Sequence, residues 1–378
     1  MAGAPPGARA PCRLEGVPTS IPPPPPCLAA APERPARRAP GPLRMGGVEL
    51  ASPVLVAPMV GITDAPFRRL AREMGAGLVS AEMAAAEAVV RRIPRTLELL
   101  TFDPEVTPAA AQLVGNDPAV MAEAAAICAE RGASVVDVNL GCPVPRVTAR
   151  GSGAALARDV TATWRVVRAM VDAVGVPVTA KMRLGWDNAS INAPELSRAL
   201  QDAGCAMVTV HGRTRVQRYL GRADWAEIAR VKRAVGIPVV GSGDVTDPSE
   251  VRRRVLAGEV DGVVVARGAL GNLWLIRQAS HEVATGEPLP DLGFAERIAL
   301  TRRHLDLLID HYGERRALIV GRKYVAWAIR GCGGAARLRA MVQSLATRAD
   351  LDSLLGLALA AGLGPQGWYA PVFTSGDG

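Results

Sequence analysis

The sequence predicts an α/β fold, a (β/α)8 TIM barrel followed by an all-helical C-terminal domain and preceded by a disordered proline-rich tail. Three observations predict it. From Val54 onward, short apolar runs alternate with longer helical stretches eight times within roughly 230 residues, the spacing of a closed parallel barrel rather than an open sheet. Several helical stretches open on an acidic cap and a first-turn proline: Asp64 ahead of Pro66, Asp117 ahead of Pro118, Asp247 ahead of Pro248. Run after run ends in polar residues or glycine, as the mouth of such a barrel requires.

Residues 1–45 are rich in Pro, Ala and Arg, include the run Pro22–Pro26 and follow neither helical nor strand periodicity, so they are expected to be a disordered extension. Met45 stands just ahead of the first strand-like run and is expected as an alternative start of translation, which N-terminal sequencing of the native protein would check. The barrel is expected over 46–286, a linker around Pro288 and Pro290, the helical domain over 294–362 and a tail over 363–378. The chain has 378 residues, is 49% hydrophobic and contains no apolar run long enough to span a bilayer, which points to a globular protein with a large core and no membrane association. The net charge of +8 favours a polyanionic partner, nucleic acid first. The six cysteines have no C-x-x-C spacing and no signal peptide precedes them, so neither a zinc ribbon nor a disulfide framework is expected and a cytoplasmic location is.

The predicted strands are Val54–Ala57, Leu78–Ala81, Ala110–Val114, Val135–Val138, Val176–Ala180, Met207–Val210, Pro238–Gly241 and Val260–Val265. At their C-terminal ends stand, in order, Pro58-Met59, Glu82-Met83, Gln112, Asn139 with Cys142, Lys181 with Arg183, His211-Gly212-Arg213-Thr214, Ser242-Gly243-Asp244, and Ala266-Arg267-Gly268.

Cys142 is the centre of this set. A lone cysteine is most often a small buried hydrophobe. Here it lies between Gly141 and Pro143, which end a strand abruptly and display the thiol at the mouth. Lys181 is one of only three lysines among 44 basic residues, and a point charge at a strand end suits the electron-rich ring of a reduced flavin; the plainer alternative is a lysine at the barrel rim. His211 is either a hydrogen-bonded core residue or a ligand contact; without a second ligand at metal spacing, zinc is not expected. The glycines of Gly241-Ser242-Gly243-Asp244 and the Arg267-Gly268 pair occupy the ends of strands seven and eight, the customary phosphate site of such barrels.

In the last domain, residues 294–361 carry eleven Arg or Lys against six Asp or Glu. Arg322, Lys323, Arg330, Arg337 and Arg339 cluster with Tyr324 and Trp327, either a solvated helix face or a surface for RNA phosphates and bases.

From about Val48 to Ala361 the chain closely resembles the tRNA-dihydrouridine synthase family, particularly its bacterial B-type members. The blocks that carry the resemblance are Ala57-Pro58-Met59-Val60-Gly61-Ile62-Thr63-Asp64 with Phe67-Arg68, Asp137-Val138-Asn139-Leu140-Gly141-Cys142-Pro143, Lys181-Met182-Arg183, His211-Gly212-Arg213-Thr214 and Gly243-Asp244-Val245-Thr246-Asp247-Pro248. The resemblance implies a flavin barrel, a C-terminal helical domain that grips tRNA, and reduction of uridine to 5,6-dihydrouridine with NADPH as electron donor. It implies FMN bound by Pro58, Met59, Val60, Gln112, Lys181, Ser242, Gly243, Asp244, Ala266 and Arg267, and Cys142 as proton donor. The ligand reading of His211 adds it to the cofactor set; Asn139 and Arg213 are expected to hold the uracil edge, and Arg322, Lys323 and Arg337 the tRNA backbone, with no obligate protein partner. Ser242 and Ala266 stand where the family commonly has Asn and Gly. Two rival functions are a flavin barrel acting on a small pyrimidine, of the dihydroorotate dehydrogenase kind, and a non-catalytic RNA-binding protein; the basic C-terminal domain argues against the first, Cys142 and Lys181 against the second.

Overall fold

The computed structural model describes residues 41–364 and Gly367. The Pro22–Pro26 run and the rest of the expected tail before residue 41 lie outside the described residues, as does most of the expected tail over 363–378.

Two short strands come first, β1 (Leu43–Met45) and β2 (Val48–Leu50), an antiparallel hairpin turned at Gly46 with φ +55°. Strand β1 therefore lies within the segment 1–45 expected to be disordered. Leu43, Met45 and Leu50 are buried against Leu55, Leu78, Val135, Met207 and Val240, which lie at or near the beginnings of barrel strands. The hairpin closes the N-terminal end of the barrel.

The barrel strands are β3 (Val54–Val56), β4 (Leu78–Ser80), then, after the short β5 (Ala84–Ala85), β6 (Ala109–Val114), β7 (Val135–Leu140), β8 (Val178–Arg183), β9 (Met207–His211), β10 (Val239–Ser242) and β11 (Gly262–Val265). Each pairs in parallel with its neighbour, β4 pairs with β6, and β11 pairs with β3 to close the ring. Around it run α1 (Ala65–Glu73), α2 (Ala86–Val90), α3 (Pro94–Leu99), α4 (Pro118–Glu130), α5 (Pro145–Thr148), α6 (Val160–Ala173), α7 (Ala193–Asp202), α8 (Trp225–Ala234), α9 (Pro248–Leu256) and α10 (Trp274–Thr285).

Asp64, Asp117 and Asp247 cap their helices, accepting from the backbone N–H of Phe67, Val120 and Ser249. Asp159 and Asp224 cap α6 and α8 without a first-turn proline to announce them. Each such cap is worth about 1 kcal/mol.

Helix α10 ends on Gly286 in the left-handed region, φ +84°. A second compact unit begins at Leu292. It holds α11 (Phe294–Tyr312), α12 (Glu314–Ala328), α13 (Ala335–Gln343) and α14 (Arg348–Ala361) around buried Leu305, Leu308, Leu318, Val325 and Leu355. Gly321 lets α11 and α12 approach closely, since a Cβ there would lie 2.2 Å from Leu305 Cδ1. No helix among the described residues is long and apolar enough to cross a membrane.

Candidate active site

The period-2 alternation of a strand puts Asp137 and Asn139 of β7 on one face, and Thr179, Lys181 and Arg183 of β8 on the matching face. The register sets Asn139 opposite Lys181, Arg183 opposite His211, and His211 opposite Ser242. Polar residues thereby form a continuous arc at the C-terminal mouth.

A chain of hydrogen bonds runs along that arc to Cys142. Thr179 Oγ1 donates to Asp137 Oδ1 at 2.6 Å and Gln112 Nε2 to Asp137 Oδ2 at 2.7 Å. Asn139 Nδ2 then donates to Gln112 Oε1 at 2.8 Å, and Asn139 Oδ1 accepts from the backbone N–H of Gly141 at 3.1 Å and of Cys142 at 2.8 Å. Both Asp137 oxygens accept, and with that start each amide of the relay points one way. From the other side Arg183 Nε donates to the Gly141 carbonyl at 2.8 Å. The cysteine turn is clamped at both its N–H groups and its carbonyl.

Burial pushes the Asp137 carboxyl up, opposed by its bonds from Gln112 and Thr179 and by the charge of Lys181. Burial, then the nearby Arg183 charge, brings Lys181 down to about 8. His211 is held well below the usual histidine range by burial and by Lys181, Arg183, Arg213 and Arg267 around it, so its imidazole is neutral at neutral pH.

Across the mouth, Gly243 has φ +128°, and a Cβ there would lie 2.5 Å from that of Ala223. Only glycine fits. Asp244, at φ +55°, accepts from Arg213 and from the Ala223 N–H, both at 2.8 Å. Ser242 is buried at the tip of β10, and Ala266 leads into the short turn Arg267–Ala269. On the first loop, Thr63 Oγ1 accepts from Met59 N at 3.0 Å and Glu82 Oε2 from Gly61 N at 2.7 Å, fixing the turn that carries Pro58, Met59 and the exposed Val60.

Asn139 uses both ends of its amide within the protein, and Arg213 is 2% exposed, tied to the carbonyls of Leu220 and Gly221 and to Asp244. Asn139 thereby holds the cysteine turn, and Arg213 is tied into the 213–224 loop. In the second unit, Arg322 and Lys323 lie half-buried on α12 and Arg337 is exposed on α13. Tyr324 is buried, its ring 4.1 Å from that of His304, so it belongs to the helical core rather than to a stacking surface.

The sequence alone gave no role to Asp137 or to Tyr219. An acid inside an apolar strand was the signal for the first. Tyr219 is 38% exposed, with the guanidiniums of Arg267 and Arg183 lying 4.5 Å and 5.6 Å from its ring and His211 6.4 Å away. Only its setting among the arginines of the 213–222 loop hinted at it.

A family model described as dihydrouridine synthase (Dus) matches residues 55–360. The chain belongs to the dihydrouridine synthase family. Relatives within the family include a probable tRNA-dihydrouridine synthase of Rickettsia bellii, 40% identical over 301 residues, covering 79% of this chain and 92% of the relative. The tRNA-dihydrouridine synthase B of Pseudomonas aeruginosa is 37% identical over 303 residues, 80% of this chain and 91% of its own. That of Xanthomonas axonopodis pv. citri is 37% identical over 331 residues, 85% and 98%. The matched region takes in the barrel and nearly all of the second unit, and the chain is an oxidoreductase of this family.

Proposed function

We propose that this chain reduces uridine to 5,6-dihydrouridine in the D loop of tRNA, with FMN as bound cofactor and NADPH as electron donor. The observation that carries the reading is the clamped turn bearing Cys142, beside Lys181 at the mouth of a barrel of this family.

The residues fit a flavin mononucleotide. The glycine-only bend at Gly243 leaves backbone exposed for close approach of a phosphate, Arg267 supplies a cation at the same end, and Lys181 supplies one at the inner end. Pro58, Met59, Val60, Gln112, His211, Ser242, Asp244 and Ala266 complete the set we assign to the cofactor. Gln112 and Asp244 do so through what they anchor, since their side chains are engaged within the protein. A flavin held there would supply the hydride for C6 of uracil, with NADPH as its source of electrons. Cys142 gives its thiol proton to C5, completing the addition of one hydride and one proton across the C5–C6 double bond. A thiol carries a transferable proton and can serve as that acid. Arg322, Lys323 and Arg337 are assigned to the tRNA backbone.

Nucleoside analysis of tRNA from a strain lacking the gene tests the function. Dihydrouridine should fall and return on complementation with the wild-type chain; an unchanged dihydrouridine content would overturn the reading. The absorption spectrum of the purified protein tests the cofactor, and FAD as the only flavin retained would contradict FMN.

A further inference from the structure

Several arginines on the barrel's helical flanks are matched by carboxylates: Arg69 with Asp103 and Glu105, Arg168 with Asp172, Arg230 with Glu227, Arg253 and Arg254 with Glu250 and Glu259. The loops leaving β7, β8 and β9, three adjacent strands, carry a further group of arginines, of which Arg213 pairs with Asp244. Among the described residues, Arg158, Arg215 and Arg218 of these loops form no salt bridge.

Two of these arginines share one aromatic ring. The guanidinium of Arg158 lies 4.7 Å, and that of Arg215 4.5 Å, from the centre of the Trp186 ring. Like charges gathered on one indole repel, and the nearby carboxylates are already engaged. Asp187 accepts from Ala189 N and Ser190 Oγ, and Asp159 caps α6 through Ala162 N. Arg215 Nε is buried with no hydrogen-bond partner among the described residues, although a buried donor ordinarily has one.

The stack is held rigidly. Arg215 N donates to Gly185 O and Val216 N to Trp186 O, both at 2.9 Å, while Arg183 holds the carbonyls of Thr214 and Arg218 at 3.0 and 2.8 Å. Arg218 sits at φ +50°, a conformation a non-glycine residue keeps only where its surroundings enforce it. Arg183 is also the residue that clamps the Cys142 turn. One side chain thus ties the loop that carries Arg215 to the turn that carries Cys142.

We propose that the Arg158–Trp186–Arg215 stack is a second RNA-binding site, on the barrel itself, that takes a phosphodiester of the unpaired strand flanking the target uridine. This rests on the tRNA reading above. Guanidinium forks match phosphate oxygens two at a time, and stacking on the indole fixes their planes in advance, so little freedom is lost on binding. Exposed Val216 and Leu220 on the same loop give the bases of a splayed strand apolar contact.

The test is tRNA affinity as a function of salt, using the full flavin-loaded chain. Arg158→Ala and Arg215→Ala should each flatten the plot of log K against log[salt] by about 0.7 to 0.9. Trp186→Leu, which removes no charge, should weaken binding about as much as the double arginine variant, because it frees both guanidiniums. NADPH should reduce the flavin of all variants at the wild-type rate, which also reports that they are folded. Wild-type binding with unchanged slopes in both arginine variants would overturn this site alone. A wild-type chain that does not bind tRNA would overturn the parent reading and this site with it.

Discussion

Asn139 has three hydrogen-bond partners and all are protein: Gln112 on one side of the amide, the Gly141 and Cys142 backbone on the other. Asn139→Asp would keep the acceptor toward Cys142 but set an oxygen against Gln112 Oε1. The turn should shift, and shifts near 1 Å at a reacting group cost about 10²-fold. The expected result is dihydrouridine formation about a hundredfold slower with flavin reduction by NADPH nearly unchanged, read by stopped-flow on each half-reaction. Equal loss in both would assign Asn139 to the cofactor instead.

Lys181 gives a pH prediction with a definite sign. Its folded value, about 8, lies below the unfolded value near 10.4, so between the two the unfolded chain binds more protons. Stability of the flavin-free protein should rise as pH increases from about 8 to 10, and Lys181→Met should remove that rise and raise the melting temperature at pH 7. The charge that assists a reduced flavin is present below about 8, so NADPH-driven reduction should fall as pH passes through that value. A Lys181→Met variant with the same pH profile would contradict this. The candidate residues at this scale were legible because each stood at a strand end. Their bonds were not. Gln112 meets Asp137 and Asn139, and Arg213 meets Asp244, across 25 to 31 residues of sequence, and only closure of the barrel brings them together.

Among the elements, the hairpin of β1 and β2 is a plug with a measurable share of stability. Met45 is fully buried beneath the barrel, so Met45→Ala should cost about 2 to 5 kcal/mol, seen as a lower urea midpoint with an unchanged slope. A change within 0.5 kcal/mol would mean the hairpin is not part of the core. Gly243→Ala should sharply reduce FMN retention, since its Cβ has no space at φ +128°; titration of the flavin-free variant with FMN checks it. Apolar periodicity located all eight barrel strands but not their ends. β7 and β8 continue through Asn139-Leu140 and Lys181-Met182-Arg183 because inward polar residues keep the ladder while breaking the apolar run. The hairpin escaped because three-residue strands flanked by Pro and Arg carry too little pattern, and β5, α2 and α3 lie in a stretch that supplied no cap signal.

For the whole molecule, a positive chain reading a polyanion should lose affinity steeply with salt. If the second unit contacts phosphates, Arg337→Ala should lower the salt slope by about 0.7 to 0.9 and leave NADPH oxidation untouched. Unaltered tRNA affinity in that variant would remove α13 from the interface. The count of basic residues made this unit readable as a partner for RNA, while burial decided which side chains remain available: Arg337 and Arg339 are exposed, Tyr324 is not. The central claim is that the clamped turn exists to present Cys142 as the acid. Single-turnover oxidation of the NADPH-reduced enzyme by tRNA tests it most directly. Cys142→Ala should bind tRNA and accept electrons from NADPH as the wild type does, but transfer them to uridine more slowly by roughly 10² to 10⁴. Reoxidation of the variant by tRNA at the wild-type rate would contradict the account.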